Sequence, residues 1–209
     1  MVSIPEFFLY SGCAAQIEFN CLKFLISLIE MLLYPVKYSK EYKSIDQLPE
    51  GGVLVVGAGQ SGAQIAEELL ENGKETWLAV SKCGRRPRNY RSKDSSWWNY
   101  EMGSFDKTVD DVPFEQRWGC SPHTSGSRGG HDINLITLAE QGLKLCGTVK
   151  NCNSNKIVFN DNLHQNLIFS DPFLINFEVV MLQNPSKIIE ILIKSMQTLN
   201  LKHPNANDL

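Results

Sequence analysis

Three glycines, Gly57, Gly59 and Gly62, stand in G-x-G-x-x-G spacing within VLVVGAGQSGAQIAEELLENG, residues 53–73. This spacing suits a pyrophosphate. The first glycine makes a tight turn, the second lets backbone approach the phosphates, and the third lets a helix pack close to the preceding strand. The helix that follows would offer free N–H groups and a partial positive charge to an anion. Ser61 has no base partner evident in the sequence and reads as a cap or phosphate contact, not a nucleophile. The bland alternative is a glycine-rich turn that binds nothing.

Which dinucleotide would bind is decided about 20 residues further on, where NAD and FAD sites place an acid on the ribose hydroxyl. Here the chain reads Val80-Ser81-Lys82, with Arg85 and Arg86 just beyond, and no acid. A hydroxyl with cations suits a 2′-phosphate, which arginine can bind through parallel N–H bonds. The expectation is NADP(H), with Ser81, Lys82, Arg85 and Arg86 at its 2′-phosphate. Residues 82–93 hold six basic residues and no acidic one. A solvated basic loop is the plainer reading of that run. Nucleic acid is not expected, because the run is short and the chain carries a net charge of −3.

These groups need a scaffold. The apolar run Val53–Val56 predicts a strand buried on both faces of a parallel sheet. Residues 61–72 predict a helix, with Ala63, Ile65, Ala66, Leu69 and Leu70 inward and Gly73 at its left-handed end. Residues 75–80 predict a second strand, completing a βαβ unit. Further on, the sequence predicts an irregular aromatic stretch over 81–122 and a helix over 133–141 opened by Gly129-Gly130-His131. It then predicts a strand at 143–145, a strand at 156–159 that pairs nearby, and a helix over 186–199. The Trp97-Trp98 pair reads as packing before it reads as a cofactor platform. The fold class is α/β: a Rossmann-like parallel sheet with flanking helices on both faces, preceded by an apolar N-terminal helical segment. The expected division is 1–37 apolar and helical, 38–171 nucleotide-binding, and 172–209 a helical tail.

Residues 22–34 (LKFLISLIEMLLY) contain Lys23 and Glu30 and are closed by Pro35. A bilayer span needs about 20 apolar residues, so a spanning helix is not expected. The segment is expected to be buried or to dock a partner chain or a second copy, the alternative being a helix that lies on a membrane surface. The start MVSIPEF lacks the basic region of a signal peptide. The six cysteines form no C-x-x-C pair and the four histidines are dispersed, so no metal site is expected. The composition fits a reduced, cytoplasmic chain.

None of the six tyrosines has a lysine four residues later, which disfavours a short-chain reductase. Three separated segments, VLVVGAGQSGAQIAEEL, LAVSKCGRRPRNYRSKDSSWW and GGHDINLITLAEQGLKLCG, resemble the NADP-binding part of flavin-dependent monooxygenases. The look is closest to the bacterial FAD-dependent oxidoreductases of that group. Residues 42–51 (YKSIDQLPEG) also resemble the connector into their second nucleotide domain. The resemblance covers roughly 38–171. It implies that Gly57, Gly59, Gln60, Ser61 and Gly62 contact the NADPH pyrophosphate, and that Ser81, Lys82, Arg85 and Arg86 contact the 2′-phosphate. It further implies hydride transfer from NADPH to FAD, then oxygenation of a small substrate of unknown identity. The departures are specific. The family's first glycine turn, which binds FAD, has no counterpart here. Its linker motif F-x-G-x-x-x-H is replaced by Leu32, Tyr34 and Tyr38 at the three marked places. The competing expectation is a truncated, non-catalytic relative that binds NADP(H) or acts as an interaction module.

Overall fold

The computed structural model describes residues 7–10, 36–85, 87–114, 123–153 and 156–168. The chain forms β1 (Phe7–Tyr10), β2 (Val36–Tyr38), β3 (Val53–Val56), α1 (Gln60–Glu71) and β4 (Thr76–Ala79). A short hairpin, β5 (Asn89–Tyr90) and β6 (Lys93–Asp94), leads into α2 (Ser95–Glu101). A second hairpin, β7 (Thr124–Ser125) and β8 (His131–Asp132), precedes α3 (Leu135–Glu140). Then come β9 (Lys144–Cys146), β10 (Val149–Asn153) and β11 (Lys156–Phe159).

Five strands make one sheet in the order β2-β1-β3-β4-β9, and every pairing in it is parallel. The alternation of strand side chains splits the core in two. Val53, Val55, Leu78 and Val80 pack with Ala63, Ala66, Leu69, Leu135 and Leu138, so α1 and α3 share one face of the sheet. Leu54, Trp77 and Ala79 pack with Ile157, Val149 and Phe159, so the β10–β11 hairpin shares the other. Helices on both faces were the sequence expectation. Among the described residues, the second face is met by this antiparallel hairpin.

α1 ends as its sequence predicts. Asn72 returns its side-chain amide to the Glu68 carbonyl at 2.8 Å. Gly73 takes φ +75°, and Lys74 N–H reaches the Leu69 carbonyl at 3.0 Å. The helix predicted over 133–141 is shorter. Asn134 accepts from the N–H groups of Ile136 and Thr137, and this capping starts α3 at Leu135. Gly129 and Gly130, expected to open that helix, instead lie in the β7–β8 turn with φ +83° and +89°.

Phe7–Tyr10 falls in a segment read as mainly helical, yet it is a strand between β2 and β3. Ladder hydrogen bonds on both edges outweigh the local pattern there, since strand formation depends on tertiary context. The helices predicted at 22–34 and 186–199 lie outside the described residues. The irregular stretch expected over 81–122 contains α2. Its Trp98 is fully buried and donates Nε1–H to the Tyr90 carbonyl at 2.8 Å. Trp97 meets it edge-on at 4.9 Å, so packing accounts for the pair. Among the described residues, no helix is long and apolar enough to cross a membrane, and no group of His, Cys, Asp and Glu could hold a metal ion.

Candidate functional site

β3 runs into the glycine turn at the centre of the sheet. Gly57 has φ +100°, a value that L side chains rarely adopt. Its N–H bonds to the Ala79 carbonyl at 3.1 Å, tying the turn to the end of β4. Gly59 is the N-cap of α1 and is extended, at φ −72° and ψ 179°. The first intrahelical bond is Ala63 N–H to the Gly59 carbonyl at 2.9 Å. The N–H groups of Gln60, Ser61 and Gly62 precede it, so α1 has no carbonyl to receive them. The first turn carries no acidic residue and Gly59 supplies no capping side chain. This helix end therefore keeps its positive character for an anion. Ser61 is exposed, Gln60 is half-buried and Gly62 is buried.

The end of β4 lies beside this turn. Val80 N–H bonds to Cys146 in β9 at 2.9 Å, and the Asn166 amide donates to the Val80 carbonyl at 2.8 Å. Ser81 and Arg85 are half-buried, Lys82 is exposed, and Cys83 and Gly84 are buried. Arg86 lies outside the described residues. Ser81, Lys82 and Arg85 thus follow the strand that Gly57 touches.

Sequence reasoning missed the residue that joins these two segments. His123 is 2% exposed. Its Nε2 meets the Ala58 carbonyl at 2.5 Å, while its backbone N–H bonds to the Gly84 carbonyl at 3.4 Å. Burial first, and the charge of Arg85 as well, hold its imidazole below the usual pKa of 6.5, against the opposing pull of the Ala58 carbonyl. A carbonyl only accepts, so Nε2 carries the proton. The neighbouring Thr124 carbonyl accepts from Gln64 Nε2 at 2.9 Å and from Gln60 Nε2 at 3.4 Å. His123 lies 65 residues from Ala58, and no local spacing signals that contact.

A cavity of about 400 Å³ opens elsewhere on α1, between Gln64, Glu67, Glu68 and Glu71 and the turn from Ser125 to Arg128. Glu67 accepts from His131 Nε2 at 2.8 Å and pairs with Arg128 at 3.5 Å, and Arg128 also pairs with Glu71. Its carboxylates disfavour a phosphate. The anion-ready surface is the N-terminal end of α1.

Residues 28–118 match the family model of L-lysine 6-monooxygenase/L-ornithine 5-monooxygenase. An uncharacterized CzcO-like oxidoreductase of Geobacillus kaustophilus is 45% identical over 67 residues. The uncharacterized oxidoreductase CzcO of Bacillus subtilis is 43% identical over 67 residues, and that of Bacillus velezensis is 40% identical over 70. Each alignment takes in 32% of this chain and 19% of the relative, so the chain spans about a fifth of the length of the curated relatives it matches. No solved structure matches the chain. These matches make the chain similar to flavin-dependent monooxygenases over residues 28–118 and to oxidoreductases over 67–70 residues.

Proposed function

We propose that this chain is an NADP(H)-binding part of a flavin-dependent monooxygenase-like oxidoreductase, built as a Rossmann-like unit. The observation that carries the reading is the N-terminal end of α1: a first turn without side-chain cap or acidic residue, placed by a positive-φ glycine at the tip of an interior parallel strand. The backbone of Gly57, Gly59 and Gly62, with Gln60 and Ser61, would hold the pyrophosphate. Ser81, Lys82 and Arg85, with Arg86 adjacent in sequence, would hold the 2′-phosphate. The residues present fit that nucleotide, because its charges meet N–H donors and cations and no carboxylate in the first turn. NADPH, when bound, supplies a hydride. FAD, the acceptor in the family that the sequence resembles, has no second glycine turn to hold it within these residues. The same helix end would serve a second reading equally, a non-catalytic NADP-binding module.

Calorimetric titration with NADPH and NADH tests the nucleotide assignment. Tighter binding of NADPH is expected; equal affinities would remove the 2′-phosphate role, and no binding would remove the proposal. The visible spectrum after incubation with FAD and desalting separates the two readings. A retained flavin band that bleaches on NADPH addition and recovers in air supports the enzyme. Absence of the band supports the binding module.

A further inference from the structure

We propose that His123 is a positioning residue of the nucleotide site: its side chain sets the peptide plane that aims the Gly59 N–H, and its backbone fixes the distance to the segment after β4. The inference rests on the NADP(H) reading above.

One peptide unit joins Ala58 to Gly59. It is trans, and a planar trans peptide directs its C=O and N–H to opposite sides. His123 Nε2 holds the Ala58 carbonyl at 2.5 Å. The Gly59 N–H is thereby turned away from the buried imidazole. Glycine at 57 and 59 allows many conformations, so this turn needs an external restraint to present one set of N–H groups. The restraint is rigid, because the ring is buried and its residue is held at both backbone groups. His123 N–H bonds to the Gly84 carbonyl at 3.4 Å, and the His123 carbonyl accepts from Ile133 N–H at 3.3 Å. One residue therefore touches the glycine turn through its side chain and the stretch between Lys82 and Arg85 through its backbone. A dinucleotide whose pyrophosphate must meet one stretch while its 2′-phosphate meets the other gains from a fixed separation, because less ordering is left to occur on binding.

The partner groups point the same way. Thr124, the next residue, receives the side chains of Gln60 and Gln64, so the first two turns of α1 are fastened to the same segment. A role in packing alone would be filled by any ring of this size. A positioning role needs the Nε donor.

The test compares His123→Phe, His123→Gln and His123→Asn in the whole chain. Glutamine carries its amide nitrogen at the reach of Nε2, whereas asparagine carries it one bond short. Binding is read for NADPH and for adenosine 2′-monophosphate, which lacks the pyrophosphate, and thermal unfolding confirms the fold. NADPH affinity should fall about tenfold in His123→Phe and His123→Asn and return to within about threefold of wild type in His123→Gln. Affinity for adenosine 2′-monophosphate should stay unchanged in all three. The inference is overturned if a folded His123→Phe or His123→Asn binds NADPH as wild type does. Equal losses for both ligands, or no rescue by glutamine, overturn it as well. Should the phenylalanine variant fail to fold, the glutamine–asparagine pair gives the same decision. Failure of the wild type to bind NADPH would instead strike the underlying assignment.

Discussion

Tyr10 and Val56 are register partners on adjacent parallel strands, side by side at the carboxyl ends of β1 and β3. From β1 the chain passes to β2 on one side, and from β3 it passes to β4 on the other. Strand order reverses between these two residues. Open α/β sheets bind ligands in the crevice beyond such a point, and Gly57 is the next residue after Val56. The N-terminal strand is thus one wall of the proposed nucleotide crevice. Leu9, paired with Val55 on one side and Lys37 on the other, is interior to the sheet. Proline there removes a ladder donor and does not fit an interior strand. Leu9→Pro should cost more than about 1 kcal/mol and lower the thermal midpoint by several degrees. An unchanged midpoint would mean that β1 contributes little to the sheet.

A second prediction separates two glycines by what surrounds them. A Cβ at Gly147 would stand 2.0 Å from the backbone oxygen of Asn160. That oxygen belongs to the junction at which Asn160 N–H bonds to the Thr148 carbonyl at 2.8 Å, so it cannot move aside cheaply. Gly147→Ala should destabilise the chain by about 1–3 kcal/mol, the usual range for overpacking. Gly126 has φ −93° and nothing within 4 Å of its added Cβ. Gly126→Ala should stay within about 0.5 kcal/mol of wild type. Parallel denaturant titrations decide the matter, and equal effects would contradict the packing argument.

Local signals made part of this fold legible. The helix read over 61–72 is α1, Gln60–Glu71. The strand read over 75–80 is β4, Thr76–Ala79. Apolar spacing and glycine punctuation act over a few residues, so sequence alone can carry them. What sequence could not carry was long-range. Phe7–Tyr10 becomes a strand only because its ladder partners come from 36–38 and 53–56. His123 looks like one of several dispersed histidines until the fold brings it onto Ala58. Asn134 moved the start of α3 because its side chain competes for the first-turn N–H groups, a local cue that the glycines before it masked. The strand read at 156–159 is β11 and pairs with the adjacent β10, but its placement over Leu54 and Trp77 has no counterpart in spacing.

Arg85 supplies a prediction about nucleotide choice. It is half-buried after β4 and lies close enough to influence the charge of His123. A guanidinium can bind a phosphate through two N–H bonds, whereas an exposed lysine acts as a hydrated point charge. Arg85→Ala should weaken NADPH binding about tenfold or more and NADH binding by about twofold at most. Lys82→Ala, at an exposed position, should have the smaller effect. Calorimetry with both nucleotides gives the answer, and equal losses for NADPH and NADH in Arg85→Ala would count against the assignment.

His123 also sets a pH dependence whose sign follows from its proton. Burial, then the Arg85 charge, keep the folded imidazole below its ordinary pKa of 6.5. Above that value neither the folded nor the unfolded ring is protonated, and the residue imposes no slope. Below it the unfolded chain binds a proton that the folded chain does not, so stability falls as pH falls, until the folded ring also titrates. Asp94 acts in a lower window. Burial pushes its carboxyl up, but the Ser96 N–H bond and the Arg88 charge outweigh this and hold it below 3.8. Its contribution is present above 3.8 and fades only as pH drops past that value. The two residues therefore separate cleanly in a midpoint-versus-pH series. Between about pH 7 and pH 5, the wild-type midpoint should decline more steeply than that of His123→Phe. Phenylalanine leaves the Ala58 carbonyl without its donor, which lowers the whole curve without tilting it. Parallel curves with only that offset would show that the proton taken up on unfolding belongs to another group.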